Sequence, residues 1–236
     1  MKRFIIDPSF FELFPQAEIG ILIAGNIDNT IQDEEKYAPW LRECEKLAAR
    51  YYPAEVWTEN PVVRTWRDAF SKFKTKKGAR CSIEALLKRV SNGNEIGCIN
   101  PLVDLYNGIS LKYGMPAGGE NSDCFDGDLH LKVATGGESF ITYGSDKEEP
   151  ALPGEVIYAD GTGAVCRCWN WRESVRTMLT EDVKNAILVI EQTDNTRHEE
   201  LGAALDELAG LMQVELGATV EKTILNLENP TVQIEA

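Results

Sequence analysis

Histidine is nearly absent: His130 and His198 are the only two in 236 residues. So few imidazoles leave little for catalysis built on a histidine base, and no zinc-ligand spacing can be assembled from them. Long apolar runs are missing, which excludes a membrane-spanning helix. Neither the phosphate-loop pattern nor the dinucleotide glycine pattern occurs in a strand-turn-helix context, and there is no Gly-x-Ser-x-Gly elbow. Basic residues are outnumbered 24 to 38, for a net charge of -14, which argues against a surface that coats nucleic acid throughout. The start, Met1-Lys-Arg-Phe-Ile-Ile-Asp-Pro, lacks the features of a signal peptide, so the expected location is the cytoplasm. Six cysteines (Cys44, Cys81, Cys98, Cys124, Cys166 and Cys168) are then expected as free thiols, with no metal and no cofactor.

What is present reads as helices followed by strands. Ile19 to Ala24 is a short apolar run ending at Gly25, a buried strand. Thr30 to Tyr52 has helical spacing, with Pro39 starting or kinking a helix and Pro53 ending it. Val62 to Phe73 and Ile83 to Val90 are amphipathic, the second with Ser82 as its N-cap. Pro101 to Tyr113 is a third helix, stopped by Gly114. The period then changes to alternation at 129–133, 139–143, 155–159, 164–169 and 186–190. A long helix over 195–216 and a strand over 219–227 complete the chain. Segregated elements of this kind imply an α+β fold, with a helical N-terminal half and a mixed or antiparallel sheet in the second half, and a single domain over 1–236. Gly118-Gly119, Gly136-Gly137 and Gly161-Thr-Gly163 read as turns.

Charge is uneven. Between Arg64 and Arg89 nine basic residues face only Asp68 and Glu84, either a phosphate-contacting face or simply two solvated helices. Asp104 and Asn107 stand three residues apart in an apolar helix and so share a face, where polar groups need partners or a ligand. Arg167, Trp169 and Trp171 alternate along a strand, which gives them one face: either a platform for a planar group, or packing around a buried ion pair. His130 lies on the polar side of its strand.

The run from Asn100 to Pro116, followed by Gly127-Asp-Leu-His-Leu-Lys132-Val-Ala134-Thr-Gly-Gly137-Glu138, Val156 to Asp160, the strand at Ala164 and Val189-Ile-Glu191, is similar in order and spacing to a known module. It resembles the B3/B4 editing domain of the phenylalanyl-tRNA synthetase beta subunit, over about Arg80 to Gln192, and looks closest to stand-alone members. The resemblance implies an α+β fold with a deep pocket that hydrolyses a wrongly formed aminoacyl ester. An apolar pocket rejects an added hydroxyl only about a hundredfold, hence the use of a second site.

Carried over residue by residue, the family's Thr-Asn pair falls on Tyr106-Asn107, its pocket histidine on Gly118 and its pocket glutamate on Glu191. The implied catalytic residues are Asn107 and Glu191 and the implied substrate contacts Tyr106 and Gly118, while the residue patterns above add Asp104, His130, Arg167 and Trp169 as candidate substrate contacts. The implied partner is the aminoacylated end of tRNA, met by Arg64, Arg67, Lys74, Lys76, Lys77 and Arg80, with neither DNA nor a membrane involved. In the synthetase the wrongly attached residue is tyrosine, and the loss of the threonine and histidine weighs against that specificity here. An aminoacylating ligase is not expected. A non-catalytic pocket for an amino acid or related metabolite, and a scaffold that kept only the fold, stay open as alternatives.

Overall fold

The computed structural model describes residues 2–234; Met1, Glu235 and Ala236, the outermost residues of the expected domain, lie outside the described residues. The strands are β1 (Arg3–Ile6), β2 (Glu18–Gly25), β3 (Ala117–Asn121), β4 (Leu129–Val133), β5 (Val156–Ala159), β6 (Ala164–Arg167), β7 (Arg172–Glu173), β8 (Ala186–Gln192), β9 (Thr219–Leu225) and β10 (Thr231–Gln233). The α-helices are α1 (Pro8–Leu13), α2 (Ala38–Ala48), α3 (Pro61–Phe70), α4 (Ser82–Ser91), α5 (Pro101–Tyr113) and α6 (His198–Leu216).

Two sheets form, so the α+β class holds. One is mixed, in the order β10-β1-β4-β5-β6-β7, with β1 and β4 parallel. The other is antiparallel, in the order β3-β8-β2-β9. The apolar run of β2 has a physical reason: both of its faces are covered. Ile19, Ile21 and Ile23 join the core between the sheets, with Phe4, Leu131 and Val156. Leu22 and Ala24 point the other way, into a second core with Leu105 and Ile109 of α5 and Leu205 and Leu208 of α6.

Helix α5 is well specified. Asn100 accepts the Val103 amide as N-cap, Pro101 occupies the first turn, and Gly114 ends the helix at φ 61°. A left-handed C-terminal residue of this kind favours glycine. The buried amides of Asn29 and Asn100 bond to each other at 3.1 Å, and Asn29 also accepts the Leu102 amide, tying the preceding loop to the helix start.

Several local expectations change. The helix expected from Thr30 begins only at Ala38, with Pro39 in its first turn, because Asp28 and Asp33 take the Thr30 and Glu35 amides into polar turns. Ser82 does not cap α4; Cys81 is the cap residue, and the Ser82 hydroxyl has no hydrogen-bond partner among the described residues. The strand expected at 139–143 is reduced to one bridge, Thr142 to Ser174. Just before it, the Glu138 carboxylate accepts the Thr135 and Gly136 amides and closes a loop. Gly118-Gly119 lies inside β3 and is not a turn. Strand β1 joins the N-terminal segment to the mixed sheet and α1 follows it, two elements beyond those expected.

Candidate functional site

A cavity of about 410 Å³ lies between the sheets, within the range of small-molecule sites. Strands β3 and β8 form one wall, β5, β6 and β7 the other, and α4 and α5 close it. Alternation explains which side chains enter. Ile187, Val189 and Glu191 lie on one face of β8 and line the cavity, while Leu188 and Ile190 belong to the opposite core. Gly118 pairs with Val189 and Glu120 with Ile187, so these two β3 residues share that face. Tyr106 and Asn107 line the cavity from α5.

Glu191 is 1% exposed and accepts three hydrogen bonds. Tyr158 donates through its hydroxyl, Trp169 through the indole N–H at 2.7 Å, and Asn170 through its amide at 2.6 Å. A carboxylate offers about four acceptor positions, so one remains for a ligand or water. Burial pushes the Glu191 carboxyl up to about 7, against the lowering effect of the three donors. Burial also raises Glu173 to about 7, and Glu120 well above the usual range. Glu173 keeps part of its surface exposed, whereas Glu191 is buried.

These shifts give a stability prediction with a definite sign. Unfolded glutamates release their protons near 4.5, whereas folded Glu191 holds its proton to about 7. In that window the folded chain binds more protons, so stability falls as pH rises and levels off above the folded value. For Glu191 alone the span is about 3 kcal/mol. Urea midpoints measured at about pH 5 and about pH 8 should therefore differ, with less difference in Glu191→Gln. An equal pH dependence in the variant would remove Glu191 from this account.

The expected residues separate into two groups. Tyr106, Asn107, Gly118, Trp169 and Glu191 all line the one cavity. Asp104, His130 and Arg167 do not. Asp104 is 2% exposed and accepts the Ile99 amide at 2.8 Å, holding the turn before α5, whereas Asn107 lines the cavity. His130 pairs with Asp7 at 2.7 Å, away from the cavity. Arg167 is buried against Glu155, so the ion-pair reading of that segment is the one that holds. Cys168 and Trp169 adopt positive φ, 48° and 64°, which breaks the alternation that would have put Arg167 and Trp169 on one face.

The basic stretch also divides. Arg67 pairs with buried Glu84 at 2.6 Å and Lys76 with Glu149, so both are engaged. Arg64 and Lys74 are exposed and line neither hollow. Lys77 and Arg80 line a second, wider groove of about 1240 Å³. That groove shares Ser82, Tyr106, Trp171, Arg172 and Glu173 with the cavity, so the two adjoin. Sequence reasoning missed Glu120, Tyr158, Asn170, Arg172 and Glu173 as cavity residues. The alternation of Gly118 and Glu120 would have signalled a strand had the glycine pair not suggested a turn.

Among the described residues no group of His, Cys, Asp and Glu is arranged to hold a metal ion, and no helix is long and apolar enough to cross a membrane. The cysteines are free.

The family model for the B3/4 domain matches residues 65–213. Among solved structures, an N-terminal fragment of the phenylalanyl-tRNA synthetase beta-subunit from Pyrococcus horikoshii is similar, with a TM-score of 0.49 and 13% identity. The alignment covers 92% of this chain and 49% of that one, so this chain spans about half its length. Comparison with curated proteins gives no match.

Proposed function

The chain belongs to the B3/4 domain family, and from that premise we propose that it is an aminoacyl-tRNA editing-type domain whose cavity takes the aminoacyl group and hydrolyses its ester. The observation that supports this most is that Asn107 and Glu191, from a helix and a strand far apart in sequence, line one cavity.

The chemistry needs little. An aminoacyl ester is already activated, so the site must position a water and stabilise the oxyanion that forms on the carbonyl. In this reading Glu191, with one acceptor position free and a carboxyl that ionises near neutrality, orients the water and draws its proton. Asn107 donates its amide N–H to the carbonyl oxygen as charge develops. The water oxygen bonds to the carbonyl carbon, the bond from that carbon to the ribose oxygen breaks, and the ribose oxygen leaves with the proton that Glu191 took. The groove bordered by Lys77, Arg80 and Arg172 leads to the cavity and offers cations to the phosphates of the acceptor end.

The test is release of amino acid from a panel of mischarged tRNAs. Asn107→Ala is expected to lower kcat roughly 100-fold, the scale for loss of one oxyanion donor. No release from any member at high protein concentration would sink the hydrolytic reading. Saturable binding of amino acids without release would leave the pocket as a non-catalytic module.

A further inference from the structure

Two carboxyl groups in the cavity have no task in the scheme above. Glu120 is 8% exposed, and its Oε2 is buried without a hydrogen-bond partner among the described residues. It projects from β3 on the same face as Gly118. Glu173, at the end of β7, approaches that same face: its Oε1 lies 3.6 Å from the point where a Cβ on Gly118 would stand. Both residues line the cavity, so the two acids converge on one corner of it.

The neighbouring cations do not neutralise them. Arg176 is committed to Asp160 through bonds of 2.9 and 2.7 Å and to the Cys124 carbonyl at 2.8 Å. The Arg172 guanidinium lies over the Trp171 ring, 5.2 Å from its centre. Burial holds both acids towards their neutral forms, and for Glu120 the nearby Glu173 adds to that effect while Arg176 opposes it only in part. A ligand cation at this corner would relieve both the unpartnered oxygen and the repulsion.

Resting on the aminoacyl-pocket reading, we infer that Glu120 and Glu173 together bind the free α-ammonium of the aminoacyl group. The substrate class follows. Aminoacyl esters with an unblocked amine are accepted, while N-acylated and peptidyl esters, which carry no charge there, are refused. The amine and the ester carbonyl hang from the same carbon, so holding the first also sets the position of the second.

Titration calorimetry tests this on the intact protein with amino-acid amides, which cannot undergo ester hydrolysis. Each amide is compared with its N-acetyl form and with the analogue bearing hydrogen in place of the amine. The free amine is expected to bind about 10- to 100-fold more tightly than either, the range for a hydrogen bond to a charged group. Glu120→Gln and Glu173→Gln should each narrow that preference.

Equal affinity for free and blocked amines in the unaltered protein overturns the inference and leaves the aminoacyl pocket standing. Binding of none of the compounds overturns the pocket reading and this inference with it. A preference that persists undiminished in both glutamine variants, each confirmed folded by circular dichroism, overturns the assignment to these residues.

Discussion

Glu155→Gln should cost about 3–5 kcal/mol of folding stability, seen as a lower urea midpoint with an unchanged slope. Glu155 and Arg167 are 0% and 2% exposed at their side chains. The carboxylate takes two guanidinium N–H groups, Nε at 2.9 Å and Nη2 at 2.5 Å, and Nη1 donates to the Glu149 carbonyl at 2.6 Å. Arginine cannot shed its proton, so neutralising its partner leaves a charge in the interior with no counterion. The double replacement Glu155→Met with Arg167→Met removes both charges and should recover most of the loss. The pair thus pins β6 to the segment leading into β5, on the sheet that carries one wall of the cavity. A loss below about 1 kcal/mol for Glu155→Gln would contradict a purely architectural pair. So would an Arg167 variant of full stability that no longer binds ligand.

That pair also shows where sequence reasoning stops. Asn100, Pro101 and Gly114 announce both ends of α5, because caps act within a few residues of the chain. The apolar runs of β2 and β8 announce strands for a similarly local reason. The partners of Arg67, Lys76 and Arg167 are Glu84, Glu149 and Glu155, and no local pattern marks them. A run of cations therefore looked freer than it is.

Trp169 was found for an incomplete reason. Alternation would send it to the same side as Arg167, yet the left-handed backbone at Cys168 and Trp169 turns the indole into the aromatic cluster of Phe10, Phe14 and Trp66 and onto Glu191. The convergence of Asn107 and Glu191 was legible only through the order and spacing of family motifs. Glu120 and Glu173 belong to no such motif and emerged from the geometry alone.

Gly118→Leu is expected to abolish ligand binding while leaving the fold intact, and the reasons are steric. Gly118 does not use a left-handed backbone, and a Cβ there would meet only Glu173 Oε1, at an ordinary contact distance of 3.6 Å. Gly118→Ala should therefore be neutral or stabilising by about 0.4–1 kcal/mol, since alanine restricts the unfolded chain more than glycine does. Leucine extends from that point into the space the aminoacyl group is proposed to occupy, between Asn107 on α5 and Glu191 on β8. Single methylene misfits in apolar pockets already change recognition by about 10- to 200-fold, so binding and ester release should fall by roughly 100-fold or more. The readouts are calorimetric affinity for amino-acid amides and release from mischarged tRNA, alongside the melting temperature. A stable Gly118→Leu protein that binds and hydrolyses as before would show that the chemistry takes place away from the Gly118 wall, outside the space between Asn107 and Glu191.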